Sequence, residues 1–84
     1  MLEELDQTLR AGRYVAGVKQ TRRALVAGQV KKLFLAKDAD PALTAPLAEL
    51  AKSNGVPVEE GATMAQLGTA CGLAVGAACC AVLI

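Results

Sequence analysis

Residues 33–41 read Leu33-Phe34-Leu35-Ala36-Lys37-Asp38-Ala39-Asp40-Pro41. Four apolar residues in a row are short for a helix and suit a strand buried on both faces. The polar turn that follows ends in Asp40, whose carboxylate can cap a helix. Pro41 comes next, and its fixed φ and missing N–H suit the first helical position. A buried strand passing through a tight turn into a helix is the repeating unit of an α/β fold. Downstream, Leu43, Leu47, Leu50 and Ala51 make a helical stripe that ends at Asn54-Gly55, with Pro46 placed to break or kink its first turn.

The same alternation extends outward in both directions. Val56 to Glu59 reads as a short strand, and Thr63 to Cys71 as a helix with Met64 and Leu67 inward, stopped by Gly72. A last strand runs from about Ala77 to Leu83. Toward the N-terminus, Tyr14-Val15-Ala16 is a short extended piece ending at Gly17. From Val18 the period becomes helical, with Thr21, Ala24, Leu25 and Gly28 on one face and Gly28 closing the helix. Before it, Leu2, Leu5 and Leu9 with acids in the first turn predict a helix over Glu3 to Ala11. Four helices alternating with short strands predict a three-layer α/β/α sandwich around a small mixed four-stranded sheet.

An 84-residue chain has room for one domain, expected to span residues 1–84. At 54% hydrophobic it can fill a dense core, which argues against disorder. Leu73 to Ile84 is the longest apolar run, well short of the roughly 20 residues a membrane-spanning helix needs, so it reads as the C-terminal core strand. The acidic, amphipathic opening is the opposite of a secretory leader. With the last residues completing the sheet, the chain reads as complete. Cys71, Cys79 and Cys80 are an odd set without a CxxC motif, and the chain has no histidine. No zinc site, other metal, cofactor or disulfide framework is suggested; small buried hydrophobes in a reducing cytoplasm are the favoured reading.

Charge is distributed unevenly. The net charge is +1, but eight of nine basic residues lie between Arg10 and Lys37, and no acid falls between Asp6 and Asp38. A polyanion meets that local field and not the pI. Within it, Gly17-Val18-Lys19-Gln20-Thr21-Arg22-Arg23 opens a helix directly after a strand. Lys19, Arg22 and Arg23 fall at i, i+3 and i+4 and so share a face. Cations in a first turn oppose the helix dipole by about 0.3–1 kcal/mol each, and a phosphate there would reverse the sign. Lys19, Gln20 and Arg23 also carry donors able to read guanine edges. A solvated charged face is the competing reading of the same residues.

Leu67-Gly68-Thr69-Ala70-Cys71-Gly72-Leu73-Ala74-Val75-Gly76 is the other unusual segment, because it places an apolar tripeptide between glycines in a connecting loop. Loops are normally polar and exposed. An apolar one either packs inward, the favoured reading of the segment by itself, or offers a dry surface to a splayed-out base.

The segments Gly17-x-Lys19-Gln20-Thr21, Ala36-Lys37-Asp38-Ala39-Asp40-Pro41 and Leu67-Gly68-Thr69-Ala70-Cys71-Gly72, in this order and at these separations, resemble the kink-turn-binding family of ribosomal proteins. The likeness covers essentially the whole chain and is nearest to the short bacterial members of the YbxF type. Kink-turns are RNA duplexes bent sharply at a short bulge beside tandem sheared G·A pairs. The resemblance implies that Gly17, Lys19, Gln20 and Arg23 face the G·A region, and that Leu73, Ala74 and Val75 cover extruded bulge nucleotides with Asp40 near one of them. By its spacing Arg22 adds a phosphate contact. Many archaeal and eukaryotic members carry Asn-Glu where this chain has Lys19-Gln20, which matches the bacterial type, so the resemblance does not carry over identical base contacts.

A non-enzymatic protein that recognises and stabilises kink-turn RNA, in ribosomal RNA or a riboswitch, is therefore the expected function. The expected protein is a ribosome-associated, cytoplasmic monomer with neither DNA nor a membrane as partner. Two aromatic residues, Tyr14 and Phe34, are too few for a base-stacking platform. A protein-interaction module, or the RNA-binding fragment of an RNA-modifying enzyme, is the alternative.

Overall fold

The computed structural model describes residues 14–84; the helix expected over Glu3 to Ala11 lies outside them. Within them the chain runs β1 (Tyr14–Ala16), α1 (Val18–Val26), β2 (Val30–Leu35), α2 (Pro41–Ser53), β3 (Val58–Glu59), α3 (Met64–Ala70) and β4 (Cys79–Leu83). The four strands form one mixed sheet in the order β1-β4-β2-β3. β4 is antiparallel to both β1 and β2, and β3 is parallel to β2.

β4 is the strand around which both cores form. Its side chains alternate, so Cys79 and Ala81 join Ala24 and Leu25 of α1 and Leu47 and Ala51 of α2 on one face. Cys80 and Val82 join Phe34 and Leu67 on the other, under α3. A strand covered on both faces needs apolar residues at every position, which is why Cys79-Cys80-Ala81-Val82-Leu83 shows no polar alternation. The described residues thus form the expected sandwich, with α1 and α2 in one layer, the sheet between, and α3 in the other.

β2 begins three residues earlier than the apolar run Leu33–Ala36 suggests. Its pairing with β4 carries an irregularity between Val30 and Lys32. The extra residue switches faces, so Val30 reaches the same core as Leu33 and Leu35 although an odd spacing separates them. That switch hides Val30 from a period-two reading.

Helix α2 runs unbroken through Pro46, against the expectation of a break. Proline removes the N–H that would meet the Ala42 carbonyl, and both residues are exposed, so water can serve that carbonyl. Leu43 belongs to the expected stripe but is 46% exposed, because only Leu47 and Ala51 of α2 are fully covered. Asp40 caps α2 as expected, its Oδ1 accepting from the Ala42 N–H at 3.0 Å. Gly28, at φ +69°, closes α1: its own N–H reaches the Leu25 carbonyl at 3.1 Å and that of Gln29 the Ala24 carbonyl at 3.0 Å, a Schellman ending.

Candidate nucleic-acid interface

Strand directions bring three distant segments together. β1 and β2 both run antiparallel to β4, so their C-terminal ends meet its N-terminal end: Ala16 pairs with Cys80, and Leu35 with Cys79. Beyond those ends lie the Gly17 turn, the Ala36–Pro41 turn and the loop leading into β4. Hydrogen bonds lock the junction, from Gly17 N–H to the Cys79 carbonyl at 3.1 Å and from Ala36 N–H to the Ala78 carbonyl at 2.9 Å. α3 follows β3, which is parallel to β2, and so starts at the same end.

Gly17 makes the first turn possible. It joins β1 to α1 with no intervening residue, at φ +94°, where an L side chain is strained. It caps α1 without a side chain, leaving the first-turn N–H groups of Val18, Lys19 and Gln20 without a side-chain partner. Lys19, Gln20, Arg22 and Arg23 are all exposed, while Thr21 between them is fully buried, accepting from the Cys79 thiol at 3.5 Å. Lys19, Arg22 and Arg23 border one shallow concavity with Val26 and Ala27, so they share a face. Because α1 has only nine residues, Arg23 also falls in its last turn, where a cation suits the dipole. The expectation of three misplaced charges therefore holds best for Lys19, with Arg22 at mid-helix.

Lys32 is placed differently. Lys32 pairs with Glu59 at 3.5 Å and lies 5.3 Å from the Phe34 ring centre. Among the described residues no ion pair engages Lys19, Arg22 or Arg23.

The apolar loop faces solvent. Leu73 is 43% and Val75 73% exposed, and Ala74 is exposed between them, which overturns the inward-packing reading of this segment. Its shape comes from α3. The Leu73 N–H binds the Gly68 carbonyl at 2.8 Å, and the Ala77 N–H binds the Met64 carbonyl at 3.0 Å. Gly68 and Gly76 permit this approach: a Cβ on Gly68 would collide with the Val75 carbonyl oxygen, and one on Gly76 would sit 3.2–3.3 Å from Met64. The Tyr14 hydroxyl donates to the Cys71 carbonyl at 2.9 Å, tying the start of the loop to β1.

Sequence reasoning missed Asp38, whose Oδ1 accepts from the Met64 N–H at 2.7 Å across 26 residues of chain. It also left Gly68 and Tyr14 without roles. Gly68 did leave a signal, since a glycine inside a helix marks a close approach.

The cysteines are buried as expected, with Cys79 and Cys80 on opposite faces. Cys71 and Cys80 Sγ lie 3.0 Å apart. Burial pushes all three thiols up from their ordinary value, Cys80 the most, so they stay protonated at neutral pH. Among the described residues no group of three His, Cys, Asp or Glu could hold a metal, and no helix is long and apolar enough to cross a membrane.

Comparison with known proteins adds identity to this geometry. The protein named RNA-binding protein YbxF of Geobacillus stearothermophilus is 40% identical over 78 residues, covering 93% of this chain and 95% of its own. Large ribosomal subunit protein eL8 of Halobacterium salinarum is 35% identical over 83 residues, or 98% of this chain and 69% of its own. The solved structure of the Giardia lamblia 15.5kD RNA binding protein superposes with a TM-score of 0.86 over 99% of this chain and 70% of that one. At 20% identity it supports the fold alone. A family model matches residues 1–84 throughout. The resemblance seen in the three sequence segments is thereby borne out, and the chain belongs to the Ribosomal protein L7Ae/L30e/S12e/Gadd45 family.

Proposed function

We propose that this chain binds RNA as a single domain over residues 1–84, and that its target is a kink-turn, which it holds in the bent form. One observation carries the reading. The sheet topology gathers at one end a helix start without a side-chain cap and with exposed cations, an Asp-bearing turn and an exposed apolar tripeptide. Lys19, Arg22 and Arg23 supply phosphate contacts, and Lys19, Gln20 and Arg23 reach the edges of the G·A pairs. Gly17 lets the RNA backbone approach the first-turn N–H groups. Leu73, Ala74 and Val75 cover extruded nucleotides, with Asp40 beside one of them. Recognition of bulges, backbone and helix shape is the usual way proteins read folded RNA.

The names of the relatives, an RNA-binding protein and a large-subunit ribosomal protein, support RNA as partner and a cytoplasmic, ribosome-associated role. The protein acts as a monomer, without catalysis, and prefers RNA to DNA. It works by binding the kinked conformer more tightly than the extended one, and only that difference shifts the RNA.

The test is a titration of a kink-turn duplex carrying donor and acceptor dyes at its ends. Energy transfer rises on binding, and the rise disappears when the G·A pairs become Watson–Crick pairs. Replacing Lys19, Gln20 and Arg23 together by Ala, with the circular dichroism spectrum kept, abolishes the response and flattens the salt dependence by about 0.7–0.9 log units per log unit of salt for each cation removed. Equal affinity for the kinked and fully paired RNAs would refute kink-turn recognition. Unchanged affinity in the triple variant would refute the interface.

A further inference from the structure

The turn between β2 and α2 carries two carboxylates with different targets. Asp40 caps its own helix through Ala42. Asp38 crosses to the opposite layer and accepts from the backbone N–H of Met64, the first residue of α3, at 2.7 Å. A helix of seven residues has little stability of its own, so contacts at its start decide where it sits. Two are local: Gln66 N–H donates to Thr63 Oγ1 and Thr63 N–H to Gln66 Oε1, a capping box. Among the described residues, two bonds refer that start to the β2–α2 turn: a backbone one from Lys37 N–H to the carbonyl of Ala62, just before the cap, at 2.8 Å, and the Asp38 bond, the one made by a side chain and the one that reaches the helix itself.

Met64 is also where the apolar loop is anchored. Its carbonyl accepts from Ala77 N–H at 3.0 Å, and its backbone and Cβ lie near enough to Gly76 that a Cβ there would sit 3.2–3.3 Å from them. Four residues along α3, the Gly68 carbonyl accepts from Leu73 N–H at 2.8 Å. The tripeptide Leu73-Ala74-Val75 is therefore hung from two points on α3, and α3 is referenced through Met64 to Asp38. Asp38 stands two residues before Asp40.

We propose that Asp38 is the positioning residue of the RNA site: through Met64 it sets the spacing between Asp40 and the Leu73–Val75 loop, and so the width of the slot that receives an extruded nucleotide. This rests on the proposed function, in which those two features flank the bulge. Asp38 itself touches no RNA. It acts as a brace between two site elements that belong to opposite layers.

The test compares Asp38→Ala with Asp38→Asn, which keeps an acceptor oxygen at the same place. In free protein, amide exchange of Leu73 and Ala77 is measured against that of Cys80 in the sheet. Asp38→Ala speeds the two loop amides about tenfold relative to Cys80, the scale expected for a lost helix-start contact, and Asp38→Asn restores most of the protection. Two RNAs are then titrated: a kink-turn duplex, and the same duplex with abasic bulge nucleotides. Asp38→Ala weakens the first about tenfold and the second less than about twofold, while Asp38→Asn stays near native on both.

Equal losses on both RNAs, or unchanged exchange at Leu73 and Ala77, would overturn the role of Asp38. Failure of the native protein to distinguish kinked from fully paired RNA would instead strike the proposed function. The exchange arm involves no RNA and decides the brace in either case.

Discussion

Gly68→Ala is the substitution for which local and tertiary reasoning disagree in sign. Gly68 lies inside α3, where alanine is the better helix former by about 1 kcal/mol, so propensity alone foresees a more stable protein. The packing says otherwise. A Cβ at this position would overlap the Val75 carbonyl oxygen and lie 3.0 Å from Gly76 Cα and 3.1 Å from the Val75 carbonyl carbon. All three atoms are backbone, so no side chain can rotate away, and the loop itself must move. Forced overpacking of this kind costs about 1–3 kcal/mol, with the upper part apt for a collision with backbone. Subtracting the propensity gain leaves a net loss of about 1–2 kcal/mol. For a chain of this size that lowers Tm by roughly 4–16 °C.

The assay is thermal and urea denaturation of Gly68→Ala beside Thr69→Ala, an exposed neighbour in the same helix. Thr69→Ala reports propensity alone and gains about half a kcal/mol. A Gly68→Ala protein as stable as the native one, or more so, would refute the account of how α3 carries the loop. On the proposed function, the displaced Leu73–Val75 segment also weakens kink-turn binding.

Two further predictions test the cap and the buried thiols. Asp40→Ala removes the acceptor for Ala42 N–H and lowers stability by about 1 kcal/mol, whereas Asp40→Asn loses only a few tenths; urea midpoints distinguish them. The cysteines predict an alkaline loss of stability. Their thiols are raised above the ordinary value of 9.0 in the folded state, so above that pH the unfolded chain releases protons that the native state keeps. Stability is whole at neutral pH and falls beyond about pH 9, by up to about 1.4 kcal/mol per pH unit for each cysteine. Melting curves between pH 7 and 10 check this, and the triple Cys→Ala protein shows a flatter profile once its lower starting stability is allowed for.

Much of the architecture was legible because its signals are local. Asp40-Pro41 announces a helix start through the side-chain acceptor and the fixed φ of the next residue. Gly28 and Gly55 announce helix ends because both take positive φ. Cys79-Cys80 had to face opposite layers because a strand has period two. Errors arose where a distant partner changed the local outcome. The irregularity near Lys32 placed Val30 on a face that alternation denies it. Pro46 did not break α2, because the carbonyl it deprives lies at the surface.

The interface divides in the same way. The spacing of Lys19, Arg22 and Arg23 already placed them on one side of a helix, and their exposure on α1 agrees. Whether Leu73-Ala74-Val75 faced in or out could not be read from its composition, which suits either. Gly68 and Gly76 decided it by letting the loop's backbone lie against α3, which leaves Leu73 and Val75 pointing to water.

By itself, then, the sequence indicated most of the elements within residues 14–84, the Asp40 cap and the shared face of Lys19, Arg22 and Arg23, since each depends on neighbours a few positions apart. Only the tertiary structure decided that Gly17, Asp40 and Leu73–Val75 share one end of the molecule. That follows from β1 and β2 both running antiparallel to β4, pairings between segments far apart in the chain. It also decided that Asp38 meets the start of α3, because a carboxylate and an N–H separated by 26 residues come together only in the folded chain.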